Sequence, residues 1–371
     1  MSDHATVNAA VLERPGAPLA IERLVLAPPR PGEVRVRMLA SGVCHSDLHV
    51  RDGDWERPGP IVMGHEGAGL VEAVGRGVES PRVGDTVALA WLIPCGTCRS
   101  CRSGRTWECP VSPSYRHQML DGTTRFRRPG GDPVLAYCAI STMAEAAVVP
   151  ALAAIPIPEG LDPAAAALIG CCVATGVGAV TKTAAVPRGA TVAVIGLGGV
   201  GLSCVMGAVL AGAIRIVVVD RVPAKLELAR ELGATDVVLA DDVPASSLAA
   251  LRDATDGGPD FVFEAIGLPA TVELAIGALP VGGTAVLVGM TPYGVCASFE
   301  VFPFVDGSRR ILGSNYGFAE PPIDFPRYAR LALDGRLPIE RLVDRRISLG
   351  DVEDAFDRMR RGEGVRQVIV F

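Results

Sequence analysis

Four cysteines, Cys95, Cys98, Cys101 and Cys109, fall in the pattern C-x2-C-x2-C-x7-C within a stretch rich in Gly, Arg and Ser. Four thiolates close a tetrahedron around zinc and leave no coordination position open, so the pattern predicts a structural ion rather than a reactive one. An iron–sulfur cluster uses the same ligands, and free thiols or a redox switch are the plainer alternatives. The spacing favours zinc without excluding iron.

A second pattern is Gly196-Leu-Gly-Gly-Val-Gly. It follows the apolar run Thr191-Val-Ala-Val-Ile and opens an apolar helical stretch, the strand–turn–helix setting that a G-x-G-x-x-G phosphate-binding turn requires. Gly196 permits the tight turn, Gly198 lets a pyrophosphate approach, and Gly201 allows close helix packing. Gly199 and Val200 begin the helix, whose free N–H groups favour an anion. Asp220 ends the next apolar run, where a carboxylate would hold the adenosine ribose and repel a 2′-phosphate. NAD is therefore expected over NADP, and the adjacent Arg221 softens that preference. A Gly-rich turn without ligand is the bland alternative.

The remaining candidates are scattered: Cys44 in Gly42-Val-Cys-His-Ser-Asp, His65 in Gly64-His-Glu-Gly, and Cys171 in Gly170-Cys-Cys. Two thiolates and one imidazole would leave a fourth tetrahedral position for water or an alcohol, as catalysis needs. Taken singly, a buried Cys is usually packing and a His between glycines can simply satisfy a turn.

These residues need a scaffold. From Glu33 to Leu39 the residues alternate like a half-buried strand, Val83-Gly-Asp-Thr-Val-Ala-Leu reads as another, and dense Gly and Pro make the first 170 or so residues mostly β. After about Cys172 the rhythm changes. Thr191-Val-Ala-Val-Ile, Ile216-Val-Val-Val, Asp260-Phe-Val-Phe and Thr284-Ala-Val-Leu-Val are buried-strand runs separated by helical segments such as Pro223 to Leu232, which predicts a parallel sheet. Past Tyr316 the pattern is mixed again, and Val368-Ile-Val-Phe is expected to return to the first domain.

The expected fold is α/β: a mainly-β catalytic domain, residues 1–172 and 316–371, and a doubly wound parallel-sheet domain, residues 173–315. At 371 residues, 49% hydrophobic and 20% charged, the chain is long enough for two cores. Its 35 basic and 41 acidic side chains leave a formal charge of −6 with no basic block, which argues against nucleic acid and membrane partners. Met1 to Ala10 lacks the character of a secretion signal, and a cytoplasmic location is expected. The uncharged stretch Thr191–Ile214 is long enough to span a bilayer, but six glycines interrupt it and a buried strand–helix pair explains it equally well.

End to end, the chain resembles the zinc-containing alcohol dehydrogenases of the medium-chain dehydrogenase/reductase superfamily. The likeness is carried in family order by Cys44-His-Ser-Asp-Leu-His, Gly64-His-Glu-Gly, the four-cysteine lobe, Gly170-Cys-Cys-Val-Ala-Thr-Gly and the Gly196 turn. It implies a GroES-like catalytic domain, an inserted Rossmann domain with the active site in the cleft, and two zinc ions per subunit. Cys44, His65 and Cys171 become the catalytic ligands, with Cys172 beside the third, while Asp47 orients His65 and Glu66 stands near the metal. The proton of the alcohol would leave through Ser46 and the cofactor ribose to His49. His45 and Arg366 are implied near the pyrophosphate, Lys225 near the adenosine ribose, and Thr175 and Val288 at the cofactor.

The resemblance also implies that Trp55 and Trp91 line the substrate cleft, where indoles would narrow the pocket. The expected reaction is hydride transfer between a primary, bulky or aromatic alcohol and NAD. Met119-Leu-Asp-Gly-Thr-Thr-Arg-Phe through Ser141-Thr-Met-Ala-Glu is similar to the glutathione-dependent formaldehyde dehydrogenase branch, although Pro113 stands where that branch has an anion-binding Arg. Oxidation of a thiol–formaldehyde adduct is the alternative, and a non-catalytic zinc- and dinucleotide-binding protein is the alternative of another class. The partners expected are a small-molecule alcohol or aldehyde and a second copy in a homodimer, with a tetramer as the other assembly.

Overall fold

The computed structural model describes residues 4–241 and 244–371, so Met1 to Asp3 of the N-terminal segment lie outside the described residues. The chain divides into two compact units, Met1–Cys171 with Glu320–Phe371, and Cys172–Ala319.

The first unit is built on a small closed barrel and a seven-stranded sheet. In the sheet, strand Glu33–Gly42 pairs antiparallel with Glu66–Val74, and its far end takes the C-terminal strand Arg366–Val370, with Val368 opposite Gly42. The expected strand near Val83 is the shorter Thr86–Leu89. Leu12, Leu24, Met38, Ile61, Phe126 and Phe356 lie in one apolar core, the largest favourable contribution to folding. Within this mostly apolar interior Arg125 is buried, and its guanidinium bonds Glu33, with Nε 2.8 Å from Oε2, and Asp121 at 3.1 Å.

The second unit holds six parallel strands, labelled β1 Thr191–Ile195, β2 Arg215–Asp220, β3 Asp236–Leu239, β4 Phe261–Glu264, β5 Thr284–Leu287 and β6 Arg310–Gly313. Their order is β3-β2-β1-β4-β5-β6, so the winding direction reverses between β1 and β4. That is the doubly wound dinucleotide-binding arrangement, whose crevice opens at the reversal beyond the strand C-termini. The helix after β2 runs Pro223–Glu231 with Leu232 as its cap residue. Thr191–Ile214 is β1, the turn and the helix Gly199–Ala211, with Val192 to Ile195 and Leu202 to Met206 buried. Among the described residues one helix, Pro163–Thr183, is long and apolar enough to cross a membrane, and 94% of its apolar window is buried within the protein.

Both unit boundaries differ by a few residues from the expected ones. Cys172 and Tyr316–Ala319 group with the second unit; for the latter segment, the backbone of Gly317 lies against Gly178, where a Cβ would come within 2.3 Å of the Gly317 carbonyl. Sequence patterning carries no trace of such a backbone contact.

Truncating Arg125 would strand the Glu33 carboxylate in a buried site, a defect that costs about 3–5 kcal/mol. Arg125→Met is expected to lower the thermal unfolding midpoint by several degrees, measured by circular dichroism, with NAD affinity unchanged.

Candidate active site

Strand register assembles the scattered candidates. Gly42 pairs directly with Glu66 across two antiparallel strands, so Cys44, two residues beyond one strand end, comes beside His65, one residue before the other. A Cβ on Gly42 would sit 2.1 Å from the Glu66 carboxylate, so only glycine leaves room for it. Cys171 arrives on the helix Pro163–Thr183, within a π-helical turn over Ile169–Val173, and such widened turns recur at functional sites.

The sulfurs of Cys44 and Cys171, a ring nitrogen of His65 and a carboxylate oxygen of Glu66 all lie within 4.8 Å of one another. All four residues are buried, and it is Cys171, not its neighbour Cys172, that contributes the sulfur. Asp47 ties the group together: one carboxylate oxygen accepts from the Cys44 backbone N–H at 3.1 Å and the other meets His65 Nδ1 at 3.0 Å. Burial pulls the His65 pKa down, but the charge and hydrogen bond of Asp47 outweigh it, and the net shift is upward. A hydrogen bond with the Cys171 thiol holds Cys44 well below the usual thiol range, and the Cys171 thiol is itself pushed up. Burial lifts Glu66 to about 7 against the opposing charge of Arg366, whose guanidinium stands 3.4 Å away.

These residues fit a zinc ion. Two thiolates and an imidazole are a common zinc set with one position left over, and His65 Nε2 is buried without a partner at ordinary hydrogen-bond geometry among the described residues. Buried polar atoms left bare in this way call for an explanation, and a metal supplies one.

The four-cysteine lobe passes a sharper test. Zinc–sulfur bonds in a tetrahedron place sulfurs about 3.8 Å apart, and the observed separations are 4.0 Å for Cys95–Cys101, 3.4 Å for Cys98–Cys101 and 4.0 Å for Cys98–Cys109. Backbone N–H groups of Cys95, Cys98 and Cys101 point at the sulfurs of Cys109, Cys95 and Cys98 from 3.3, 3.3 and 3.4 Å, which stabilises thiolates.

In the second unit Gly196 adopts φ +91°, and a Cβ on Gly201 would come within 1.7 Å of the Gly196 carbonyl. A Cβ on Gly198 would meet nothing within 4 Å, so this backbone is open to a ligand. Gly199 and Val200 form the first turn of the helix. Asp220 braces the turn, accepting from the Leu197 N–H at 2.7 Å and from the Val222 N–H at 2.9 Å. Arg221 is exposed beside it, and Lys225 and Thr175 are half-buried. Val288 is buried just after β5.

Other expected residues surround the metal group. Ser46 Oγ lies 3.8 Å from Cys44 Sγ. His49, whose Nδ1 is 2.8 Å from Asp54, stacks on Trp55 at a centroid distance of 4.7 Å. His45 is exposed at the start of the same helix, and Trp91 is half-buried. Arg366, expected at a pyrophosphate, is buried beside Glu66 and also donates to the Val43 carbonyl at 3.2 Å. One residue was not anticipated. Glu264, at the end of β4, is buried, and three donors converge on one of its carboxylate oxygens. Its only sequence signal is an acid closing an apolar run three residues before a glycine.

A doubly wound sheet with a phosphate-type turn, a thiolate–imidazole group and a four-thiolate lobe define a zinc-binding dehydrogenase. Residues 30–159 match the alcohol dehydrogenase GroES-like domain and residues 199–334 the zinc-binding dehydrogenase domain. The chain is 39% identical over 366 residues to the S-(hydroxymethyl)glutathione dehydrogenase of Escherichia coli O1:K1, covering 98% of this chain and 99% of that one. The solved alcohol dehydrogenase zinc-binding domain protein of Burkholderia ambifaria is similar at a TM-score of 0.95, with 37% identity and both chains fully covered (100%). The benzyl alcohol dehydrogenase of Acinetobacter calcoaceticus follows at 0.92, with 31% identity and 99% of each chain covered. The chain belongs to the zinc-containing alcohol dehydrogenases of the medium-chain dehydrogenase/reductase superfamily.

Carboxylates behind ligating imidazoles raise metal affinity by about 10- to 100-fold. Asp47→Asn is therefore expected to lose zinc from the Cys44–His65–Cys171 group under mild chelation while the four-cysteine lobe keeps its ion. Metal analysis should fall from two ions per chain to one.

Proposed function

We propose that the protein is an NAD-linked dehydrogenase that interconverts a primary alcohol and its aldehyde. The observation that carries this reading is the buried group of Cys44, His65, Glu66 and Cys171, supported by the brace of Asp220 on the Gly196 turn. Cys44, His65 and Cys171 would hold a zinc ion, which would supply a Lewis acid that acidifies an alcohol, and a bound nicotinamide would supply the hydride acceptor. The chain's own residues bind, orient and move the proton. Cys44 and Cys171 hold two sulfur donors in a dry setting, Asp47 fixes the ring of His65, and Ser46, 3.8 Å from Cys44 Sγ, would take the alcohol proton while releasing its own through the cofactor ribose toward His49. His49, partly exposed and turned by Asp54, passes that proton to water. Trp55, packed on His49, gives the substrate an aromatic wall, which favours an alcohol with a bulky or aromatic group.

A thiol–formaldehyde adduct is the second substrate reading, favoured by the 39% identity to the S-(hydroxymethyl)glutathione dehydrogenase over 98% of this chain. Pro113 weighs against it, since proline brings no charge for an anionic adduct.

The working unit is a homodimer. Among the described residues strand β6 is an edge with one partner, β5. The helix Val301–Asp306 just before it exposes Val301 at 65%, Phe302 at 81% and Val305 at 68%. An apolar patch beside a free strand edge suits a second copy. Light scattering should give twice the chain mass, and Phe302→Glu should shift the protein to monomer; a wild-type monomer would refute the assembly.

Purified protein is expected to carry two zinc ions and to reduce NAD with benzyl alcohol. Glutathione added with formaldehyde separates the two substrate readings: a rate that requires the thiol supports the adduct. His49→Gln should depress turnover below neutral pH while leaving the dissociation constant of NAD within about twofold; an unchanged pH profile would remove His49 from the proton route.

A further inference from the structure

Strand Pro133–Ala136 ends between two segments that carry basic side chains. On one side the Leu135 N–H donates to the Pro60 carbonyl at 2.8 Å, and on the other the Ala136 N–H donates to the His117 carbonyl at 3.0 Å. Just past the strand end, the Cys138 N–H donates to the Arg116 carbonyl at 3.0 Å. Arg57, shortly before Pro60, and the pair Arg116–His117 thus flank Tyr137 and Cys138. Tyr137 in turn meets the metal group, its ring edge-on to His65 at a centroid distance of 5.6 Å and an interplanar angle of 84°.

The electrostatics agree with this placement. Burial, and then the charges of Arg57 and Arg116, hold the His117 imidazole below its ordinary value. Burial pushes the Cys138 thiol up to about 11, with the charges of His65 and Arg57 opposing the rise. Tyr137 is raised by burial and by the charges of Cys138 and Asp47, and Arg57 again opposes. The same two residues therefore feel the metal group from one direction and Arg57 from another.

The basic residues are open to solvent and lack acidic company. Arg116 is exposed, and Arg57 and His117 are half-buried. Arg57 donates to the Glu56 carbonyl, a neutral acceptor, at 2.7 Å, and among the described residues none of the three forms an ion pair with a carboxylate. Of the acids in the same loop, Asp54 is engaged by His49 and Glu56 is exposed. Elsewhere Arg51, Arg128 and Arg360 each bond an acid, and the chain as a whole carries a formal charge of −6. Like charges gathered in a half-buried place repel one another and attract an anion from solvent.

We propose that Arg57 and Arg116 form a carboxylate-binding subsite, so that the substrate is a primary alcohol or aldehyde bearing a carboxylate, with Arg57 the specificity-determining residue. The proposal rests on the reading of this chain as an NAD-linked alcohol dehydrogenase. The hydroxyl end lies at the metal group, the body of the substrate spans Tyr137, and the carboxylate meets the guanidinium groups, whose planar forks match it. Charge for an anionic substrate, missing at Pro113, is present at these two positions. An aromatic alcohol with a ring carboxylate and the glutathione adduct both carry this chemistry.

The test compares kcat/KM of the zinc-loaded enzyme with NAD for para-(hydroxymethyl)benzoate, para-methylbenzyl alcohol and S-(hydroxymethyl)glutathione. Wild type, Arg57→Gln and Arg116→Gln are measured side by side. Wild type is expected to favour a carboxylate-bearing substrate over para-methylbenzyl alcohol by about tenfold or more, as a hydrogen bond between charged groups supports. That ratio should fall by about the same factor in Arg57→Gln. A fall for para-(hydroxymethyl)benzoate assigns the carboxylate to an aromatic alcohol; a fall confined to S-(hydroxymethyl)glutathione assigns it to the thiol adduct. Arg116→Gln changes an exposed side chain and should lower the ratio too, which keeps the subsite testable if Arg57→Gln does not fold. His117 gives a readout independent of turnover: saturation with either carboxylate-bearing substrate, without NAD, should raise its imidazole pKa in an NMR titration, because the carboxylate offsets the two arginines. Equal kcat/KM for all three substrates in wild type, a preference that survives both substitutions, or an unmoved His117 would each overturn the proposal and leave the dehydrogenase reading standing. Oxidation of none of the three, with His117 still shifting, would sink the dehydrogenase reading and uphold the subsite.

Discussion

The active site depends on one buried carboxylate. Asp47 is fully enclosed, a position that is strongly unfavourable for a charge unless every lone pair has company. Its two oxygens are taken by the Cys44 backbone and the His65 ring, which join the first turn of the helix His45–Asp52 to the loop entering strand Glu66–Val74. Without it, strand register would still bring Cys44 and His65 side by side, but the imidazole would be free to rotate. With it, one ring nitrogen is engaged and the other is left bare among sulfurs. The same residue thus anchors the helix that carries Ser46 and His49, so the metal group and the proposed proton route share a support.

The second unit repeats this device with different acids. Asp220 and Glu264 each end a parallel strand, and each spends carboxylate oxygens on backbone N–H groups of a turn: Leu197 and Val222 for the first, Ile266 and Gly267 for the second. Hydrogen bonds to a charged acceptor are roughly twice as strong as neutral ones, so two short loops become rigid without a large apolar core of their own. Rigidity at those loops is what a shallow phosphate site needs, because a ligand that must order its own loop loses affinity to that ordering.

What sequence could reveal follows from the distance over which each feature is encoded. The four-cysteine lobe lies within fifteen residues and the Gly196 turn within six, so spacing alone carries their chemistry. Cys44, His65 and Cys171 span more than a hundred residues and meet only through the pairing of Gly42 with Glu66 and a π-turn in a helix. Singly they read as packing, and resemblance to a family was needed to unite them. Glu264 stayed invisible because an acid closing an apolar run looks like any strand terminus until its neighbours are known. The grouping of Tyr316 to Ala319 with the second unit is not legible in sequence, because a backbone contact between Gly178 and Gly317 leaves no mark in hydrophobic periodicity.

The link between substrate and proton route follows from Trp55. Its indole stacks on His49 at 4.7 Å, and the Trp55 backbone N–H also donates to the His49 carbonyl at 3.2 Å. On the proposed reading, one side chain sets both the width of the pocket and the orientation of His49. A smaller residue at position 55 would widen the aromatic wall and at the same time release His49 from its stacked position, where Asp54 turns it. Separating the two requires a second support for His49, and among the described residues Asp54 is the side chain placed to provide it.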